Sequence, residues 1–476
     1  MRQLSIRILF ASAAVVFAWS QGCGDSSEPS IFNNGGDDGG GGDGSGDDGG
    51  LLGDDGGVIF GDGGTPHCVN LQCQQVSCPG GGKTTVSGKV YDPAGVDPLY
   101  NVIVYVPNAP VQPFKDGASC DKCGALASGS PIATAITDPS GSFTLENVPV
   151  GSNIPLVLQI GKWRRQITIP SVAKCTDTPI TDKNLMRLPK NKIEGDIPLM
   201  AIATGGADPF ECLLQRIGID NAEFTVPSGN GRIRYYQATG GTTLASATPS
   251  ATTLWGSAAE LAKYDIVLLP CEGDEYLNEK PAASRNNVET YTNQGGCLFT
   301  THYGYAWLAS NCSGGACGTA KFGTTGVWNV NNYDVSDPLP ALVNMSFPKG
   351  LAFAQWLQNV GATTTIGNIA LNQSRHDLDK ENAPTQMWMT AHTTANGPTV
   401  QHITFNTPIG VPDDQQCGRV VYSDFHVSAT DRQGNVFPAS CKSGPLTPQE
   451  KALEFMLFDL SSCIQKDTAP PAPPPK

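Results

Sequence analysis

Residues 85–95 read TVSGKVYDPAG, with Val86, Val90 and Tyr91 set around Gly88 and a turn at Asp92-Pro93-Ala94-Gly95. β-Branched residues crowd the next run, 101–106 (NVIVYV). Residues 133–137 make another extended run, closed by Asp138-Pro139-Ser140-Gly141, a strong turn signal. Period-two alternation follows at 142–145 (SFTL), then a turn at 148–151, then apolar runs at 155–160 (PLVLQI) and 166–169 (QITI). Short β-forming runs with turn residues between them predict an all-β sandwich. Trp163-Arg164-Arg165 reads as an exposed basic and aromatic hairpin tip.

Beyond residue 190 the period changes. A short apolar run at 200–203 leads through Gly205-Gly206-Ala207 to Asp208-Pro209-Phe210-Glu211, the pattern of a capping box with Pro at the first helical position. The helix it predicts stops at Gly218. Residues 232–236 predict a strand, and 265–270 (DIVLLP) is a continuous apolar strand of the kind buried on both faces. A polar helix at 284–293, a buried strand at 295–302, an amphipathic helix at 347–360 and a strand at 418–423 follow. Thr447-Pro448-Gln449-Glu450 caps a last helix that runs to about residue 463. Alternating strands and helices predict an α/β, flavodoxin-like doubly wound parallel sheet. Arg375-His376-Asp377 reads as a polar loop cluster.

Both halves resemble known families. GKVYDPAG, PLYNVIVYV and ITDPSGSFTLENVPVG, over about residues 84–188, resemble the carboxypeptidase regulatory-like, transthyretin-like β-sandwich. That resemblance implies an accessory module without catalytic residues. YDIVLLPCEGDE, NQGGCLFTTHYGYAWL and GRVVYSDFHVS, over about residues 192–465, resemble the class I glutamine amidotransferase-like fold, nearest its ThuA-like (trehalose-utilisation) branch. In catalytic members of that family the strand ends in a Gly-x-Cys-x-Gly elbow. Here the elbow frame is Thr300-Thr301-His302-Tyr303-Gly304, so His302 stands at the nucleophile position. Cys297, five residues earlier, lies inside the strand, and the family's His-x-Glu reads His426-Val427-Ser428. A glutaminase needs a thiolate activated by an oriented imidazole. The resemblance therefore implies a scaffold that has lost its nucleophile, and glutaminase activity is not expected.

The fold resemblance places Asp208, Glu211, Glu272, Asp274, Glu275, His302, Tyr303, Asp424 and His426 at the C-terminal edge of the sheet, where open α/β sheets bind ligands. His302, Tyr303, Asp424, His426 and Glu272 are the catalytic candidates. Two imidazoles with carboxylates can hold a divalent metal or carry protons. Each also has a structural reading: Asp208 and Glu211 as helix caps, residues 272–275 as a solvated loop, His302 as a hydrogen-bonded core histidine. No metal or cofactor is assigned. Gly205-Gly206 ahead of a helix suggests a phosphate cradle, but the acids at that helix start oppose an anion.

Charge and composition add a location. Arg2 and Arg7 precede a 12-residue apolar stretch at 8–19, too short to span a bilayer and typical of an export signal. Ser20-Gln21-Gly22-Cys23 resembles a lipobox, which implies acylation at Cys23. Of the net charge of −14, residues 24–66 supply nine Asp and Glu28 with no Lys or Arg. This Gly/Asp tract predicts a disordered tether. No basic cluster marks a nucleic-acid partner. The expected organisation is a signal peptide (1–22), an anchored acidic linker (23–66), the sandwich (67–190), the α/β domain (191–465) and a frayed Pro-rich tail (466–476).

Fifteen cysteines argue for an oxidising compartment. With Cys23 acylated, six remain in the sandwich region (Cys68, Cys73, Cys78, Cys120, Cys123, Cys175) and eight in the α/β region (Cys212, Cys271, Cys297, Cys312, Cys317, Cys417, Cys441, Cys463). Even counts predict that each region closes its own bridges, with Cys312–Cys317 and Cys417–Cys441 as loop closures and Cys212–Cys271 as neighbours in the sheet. Zinc at Cys68/Cys73/Cys78 or Cys120/Cys123 is disfavoured, since only His67 is near. The expected function is a surface-anchored lipoprotein of the bacterial outer membrane or cell surface, without catalysis, that binds a protein or glycan partner. The alternative is an exported hydrolase-like enzyme that acts on carbohydrate or another small substrate at the sheet edge.

Overall fold

In the computed structural model, residues 68–122, 127–244, 247–393, 397–462 and 464–472 are described. The signal, Cys23, the acidic tether, Cys123 and Cys463 lie outside them. The chain divides into two units, 1–65 and 66–476, and all described residues belong to the second. It is mostly β, with few helices.

The first part holds seven strands: β1 (Thr85–Lys89), β2 (Ile103–Pro107), β3 (Pro131–Ile136), β4 (Ser142–Glu146), β5 (Gly151–Ile160), β6 (Trp163–Val172) and β7 (Asp177–Ile180). They make a three-stranded sheet, β4-β1-β7, and a four-stranded sheet, β3-β2-β5-β6. Alternation does the sorting in β4, where Phe143 and Leu145 are buried between exposed Thr144 and Glu146. The basic aromatic tip does not exist as expected. Trp163 is fully buried against Phe458, and Arg164 is buried with its guanidinium on Asp196. The turn falls earlier, at Gly161-Lys162.

The second part contains one sheet of ten strands. Six run parallel: β8 (Met200–Thr204), β9 (Phe224–Thr225), β10 (Ile233–Gln237), β11 (Ile266–Leu269), β12 (Cys297–Thr301) and, last in the chain, β21 (Gly418–Ser423), in the order β9-β10-β8-β11-β12-β21. β11 and β21 are buried at every position, as continuous apolar parallel strands are. Between β12 and β21 come β13 (Asn311–Cys312) with β14 (Gly315–Ala316), β15 (Gly326–Asn332), β16 (Leu339–Val343), β17 (Asn368–Leu371), β18 (His376–Glu381), β19 (Gln386–Thr393) and β20 (Gly397–Thr407). β20, β19, β16 and β17 extend the sheet beyond β21 as antiparallel strands. The sheet is thus mixed and not wholly parallel. β18, expected as a loop, pairs with β15.

Six helices flank these strands: α1 (Phe210–Arg216), α2 (Thr252–Trp255), α3 (Ala258–Leu261), α4 (Ala282–Asn293), α5 (Pro348–Asn359) and α6 (Pro448–Ser461). α6 has the expected capping box, with Thr447 and Glu450 bonded reciprocally. α1 does not: Pro209 is its N-cap and no side chain caps it.

One hydrophobic cluster runs through both parts, from Val86 and Trp163 to Phe455 and Leu460. Tyr100 stacks on Phe455, Trp356 Nε1 donates to the Pro98 carbonyl, and Lys162 pairs with Asp265 at 2.6 Å. The bridges follow this shared core. Cys68–Cys73, Cys78–Cys175 and Cys312–Cys317 are local to their parts. Cys120 instead joins Cys417 across the two parts, and Cys212 joins Cys441. The expected Cys417–Cys441 and Cys212–Cys271 pairs are therefore absent, and Cys271 and Cys297 are free thiols. Asp467, expected in a frayed tail, is buried and accepts from Arg419 and Thr404.

Candidate functional site

Four neighbouring parallel strands end side by side. β8 stops at Thr204, β11 at Leu269, β12 at Thr301 and β21 at Ser423. The chain beyond each carries one of the chemical groups: Asp208, Cys271, His302, and Asp424 with His426. Gly205 permits the crowding, since a Cβ there would lie 2.1 Å from the Cys271 carbonyl oxygen. The Gly205-Gly206 pair thus serves close packing.

His302 begins a tight 3-10 turn at the tip of β12 with φ of 39°, a left-handed conformation unusual for a side chain of its size. Gly304 completes the elbow, because a Cβ there would sit 1.7 Å from Thr300 Oγ1. Thr301 Oγ1 accepts from the Cys271 amide at 2.9 Å and donates to Asp208 Oδ2 at 2.6 Å. Asp208 Oδ1 accepts from the Val427 amide at 3.2 Å. Asp208 therefore laces strand ends together, and complete burial lifts its pKa well above the carboxylate range. This is why it does not cap α1. Glu211 likewise turns inward, with Oε1 accepting from Thr242 at 2.6 Å, and burial raises it to about 7.

Cys271 Sγ lies 3.2 Å from His302 Nδ1. The elbow carries no sulfur, but Cys271, expected to pair with Cys212, brings a free thiol to the edge from the neighbouring strand end. The His302 and His426 rings lie 5.7 Å apart, inclined by 28°, and His426 Nδ1 donates to the Val427 carbonyl at 2.7 Å. Burial pushes the Cys271 thiol up, and the nearby Asp208 and Glu272 charges add to this. Burial also holds His302 well below its usual value and brings His426 down to about 4. At neutral pH the thiol keeps its proton and both imidazoles are neutral. The three residues are 0%, 3% and 4% exposed, so the group is buried. One donor atom from each lies within 4.8 Å of the other two.

A carboxyl pair stands behind His302. Asp377 Oδ2 is 3.8 Å from His302 Nε2, and the Asp377 amide donates to Asp424 Oδ2 at 2.8 Å. Burial, then the Asp424 charge, raises Asp377. Tyr422 Oη lies 3.1 Å from the His302 carbonyl and 3.0 Å from Asp424 Oδ1. Outside this sealed group lies a partly exposed roof. The Tyr303 ring packs against His302 at 4.2 Å, tilted by 46°, its hydroxyl meets Asn331 and Tyr333, and the Arg375 guanidinium covers the Tyr333 ring at 4.9 Å. Tyr333 is 60% exposed.

No family model matches the sequence, and no curated protein does. Among solved structures the chain is similar to a protein described as ThuA-like from Bacteroides uniformis, at 11% identity over 50% of this chain and 84% of that one, with a TM-score of 0.28. A cytoplasmic protein of Salmonella typhimurium aligns at 12% identity over 48% and 88%, with a TM-score of 0.26. A cohesin–X-dockerin complex mutant of Acetivibrio cellulolyticus aligns at 15% identity over 31% and 79%, with a TM-score of 0.15.

Of the sequence candidates, Asp208, His302, Tyr303, Asp424 and His426 come together. Glu272 does not join them: it pairs with Lys280 at 2.6 Å and accepts from the Thr239 amide. Glu275 accepts from Tyr305 and from the Ser313 and Gly314 amides, and so is no solvated loop acid. Cys271 and Asp377 were not expected here. Cysteine parity conceals the first, because two free thiols keep an even count as well as seven bridges do. The one available signal was position: Cys271 follows a buried strand directly, as His302 does.

Proposed function

We propose that this chain is an exported, lipid-anchored surface protein of a bacterium, with a transthyretin-like sandwich and a degenerate, flavodoxin-ordered amidotransferase-like body, whose role is binding rather than catalysis. The burial of the thiol–imidazole group carries the reading. A nucleophile must reach its substrate as a thiolate. Cys271 is fully buried, protonated and offered no charged base. What the same edge presents to solvent is Tyr303, Tyr333, Asn331 and Arg375, flat and hydrogen-bonding groups suited to a glycan or peptide. Five bridges among the described residues are compatible with an oxidising compartment.

Three measurements test this. Palmitate labelling of expressing cells should mark the wild-type chain and not Cys23→Ser. The purified chain should release no ammonia from glutamine and hydrolyse nothing on a glycan panel, with or without His302→Ala. Turnover that disappears in His302→Ala would establish the hydrolase alternative. Retention of a panel glycan or surface protein should weaken about 10-fold or more in Tyr333→Ala, the loss expected of an exposed aromatic anchor.

A further inference from the structure

We infer that Cys271, His302 and His426 form a binding site for one thiolate-accepting transition-metal ion of the zinc kind. Three separate strand ends deliver the donors, with one ligand atom of each within 4.8 Å of the others. One sulfur and two imidazoles is a donor set that favours zinc or copper over magnesium or calcium.

The surroundings supply what metal-binding imidazoles need behind them. A ligating histidine donates its second N–H to a fixed acceptor. His426 does so through Nδ1 to the Val427 carbonyl, which leaves Nε2 with its lone pair. The carbonyl can only accept, so this assignment is forced. Cys271 Sγ lies 3.2 Å from His302 Nδ1, and in the tautomer in which the thiol donates to Nδ1 the single ring proton sits on Nε2. Nε2 faces Asp377 Oδ2 at 3.8 Å, a fully buried oxygen that meets no donor. A buried carboxyl oxygen without a hydrogen-bond partner is costly unless something engages it. It is an independent sign that the ring moves closer when its other nitrogen is ligated. The left-handed backbone of His302 holds the ring in this place against its own preference.

The chemistry balances simply. A divalent ion replaces the thiol proton, the sulfur–metal bond forms, and the S–H proton leaves to solvent. No electron is transferred. The inference goes beyond the binding reading and does not depend on it, because metal content is read without any partner.

The test uses the full chain, solubilised in detergent from expressing cells and purified without a polyhistidine tag. Zinc and copper are measured by plasma mass spectrometry. Cobalt(II) is then titrated after dialysis against a chelator, with the sulfur-to-cobalt charge-transfer band as readout. About one equivalent of metal and a saturable band are expected. Cys271→Ser should abolish the band, His426→Gln should weaken cobalt binding at least ~10-fold, and Cys297→Ser should change neither. Intact disulfides by mass confirm that each variant is folded. Should Cys271→Ser not fold, His426→Gln and the wild-type band decide. A wild-type chain with neither metal nor band overturns the proposal, as does a band that survives Cys271→Ser or vanishes in Cys297→Ser.

Discussion

At Gly304 the missing side chain is what lets the elbow turn. A methyl group there would overlap Thr300 Oγ1, itself bonded to the Leu269 carbonyl between β12 and β11. Gly304→Ala should cost ~1–3 kcal/mol, the usual range for overpacking, read as a lower midpoint in urea. A second residue-scale consequence concerns Asp92. It is 2% exposed, with Oδ1 accepting from the Val96 and Asp97 amides, and burial lifts its pKa from 3.8 to about 7. Glu454 lies in the same acidic pocket, and neither of its oxygens meets a donor. A raised carboxyl favours the folded state while protonated. Its stabilisation is complete below the unfolded value and is lost as pH rises through about 7. Asp92→Asn keeps the accepting oxygen and removes the charge. It should raise the melting temperature at pH 8, with a gain that shrinks steadily as the pH falls toward 4. Legibility at this scale depended on partners distant in sequence. His302 and His426 were readable because His302 directly follows β12 and His426 lies three residues beyond the end of β21. Asp208 was read as a cap because its true partners, Thr301 and the Val427 amide, are far along the chain.

Elements were most legible where pattern and punctuation agreed. β21 was expected at residues 418–423 and is found there. α6 follows its Thr447 cap, and Glu450 also reaches the Arg216 guanidinium. Thr447→Ala should cost ~1 kcal/mol, the typical worth of an N-cap, measured by thermal unfolding. The antiparallel extension was not legible. β20 buries Thr399, Gln401, His402 and Thr404, so its inward positions do not read as apolar. Trp388 Nε1 on Thr404, and His402 on Ser423, satisfy those groups in place of hydrophobic contact. β15 is rich in asparagine, and its pairing with β18 carries register shifts that blur any period.

For the whole molecule, the composition shift near residue 190 marked a change of architecture but not a physical boundary. Turn signals report where strands end; they carry no information about which faces meet. Trp163, Tyr100 and Trp356 each look like members of their own part, yet each packs or bonds across the junction. Cys120–Cys417 ties that junction over a separation of 297 residues. Replacing both cysteines with alanine should cost ~2–4 kcal/mol, read from denaturant unfolding, and should leave a single cooperative transition because the apolar core remains continuous.

The same bridge constrains how the chain is made. If the chain is exported as proposed, threading across a membrane from its amino end presents Cys120 long before Cys417. When Cys120 arrives, Cys68, Cys73 and Cys78 have already been delivered, and Cys78 must itself wait for Cys175. Oxidation in order of arrival gives Cys120 a wrong mate. The native pairing therefore calls for a cell that reshuffles sulfur bonds, and a host equipped only to form them would accumulate scrambled product.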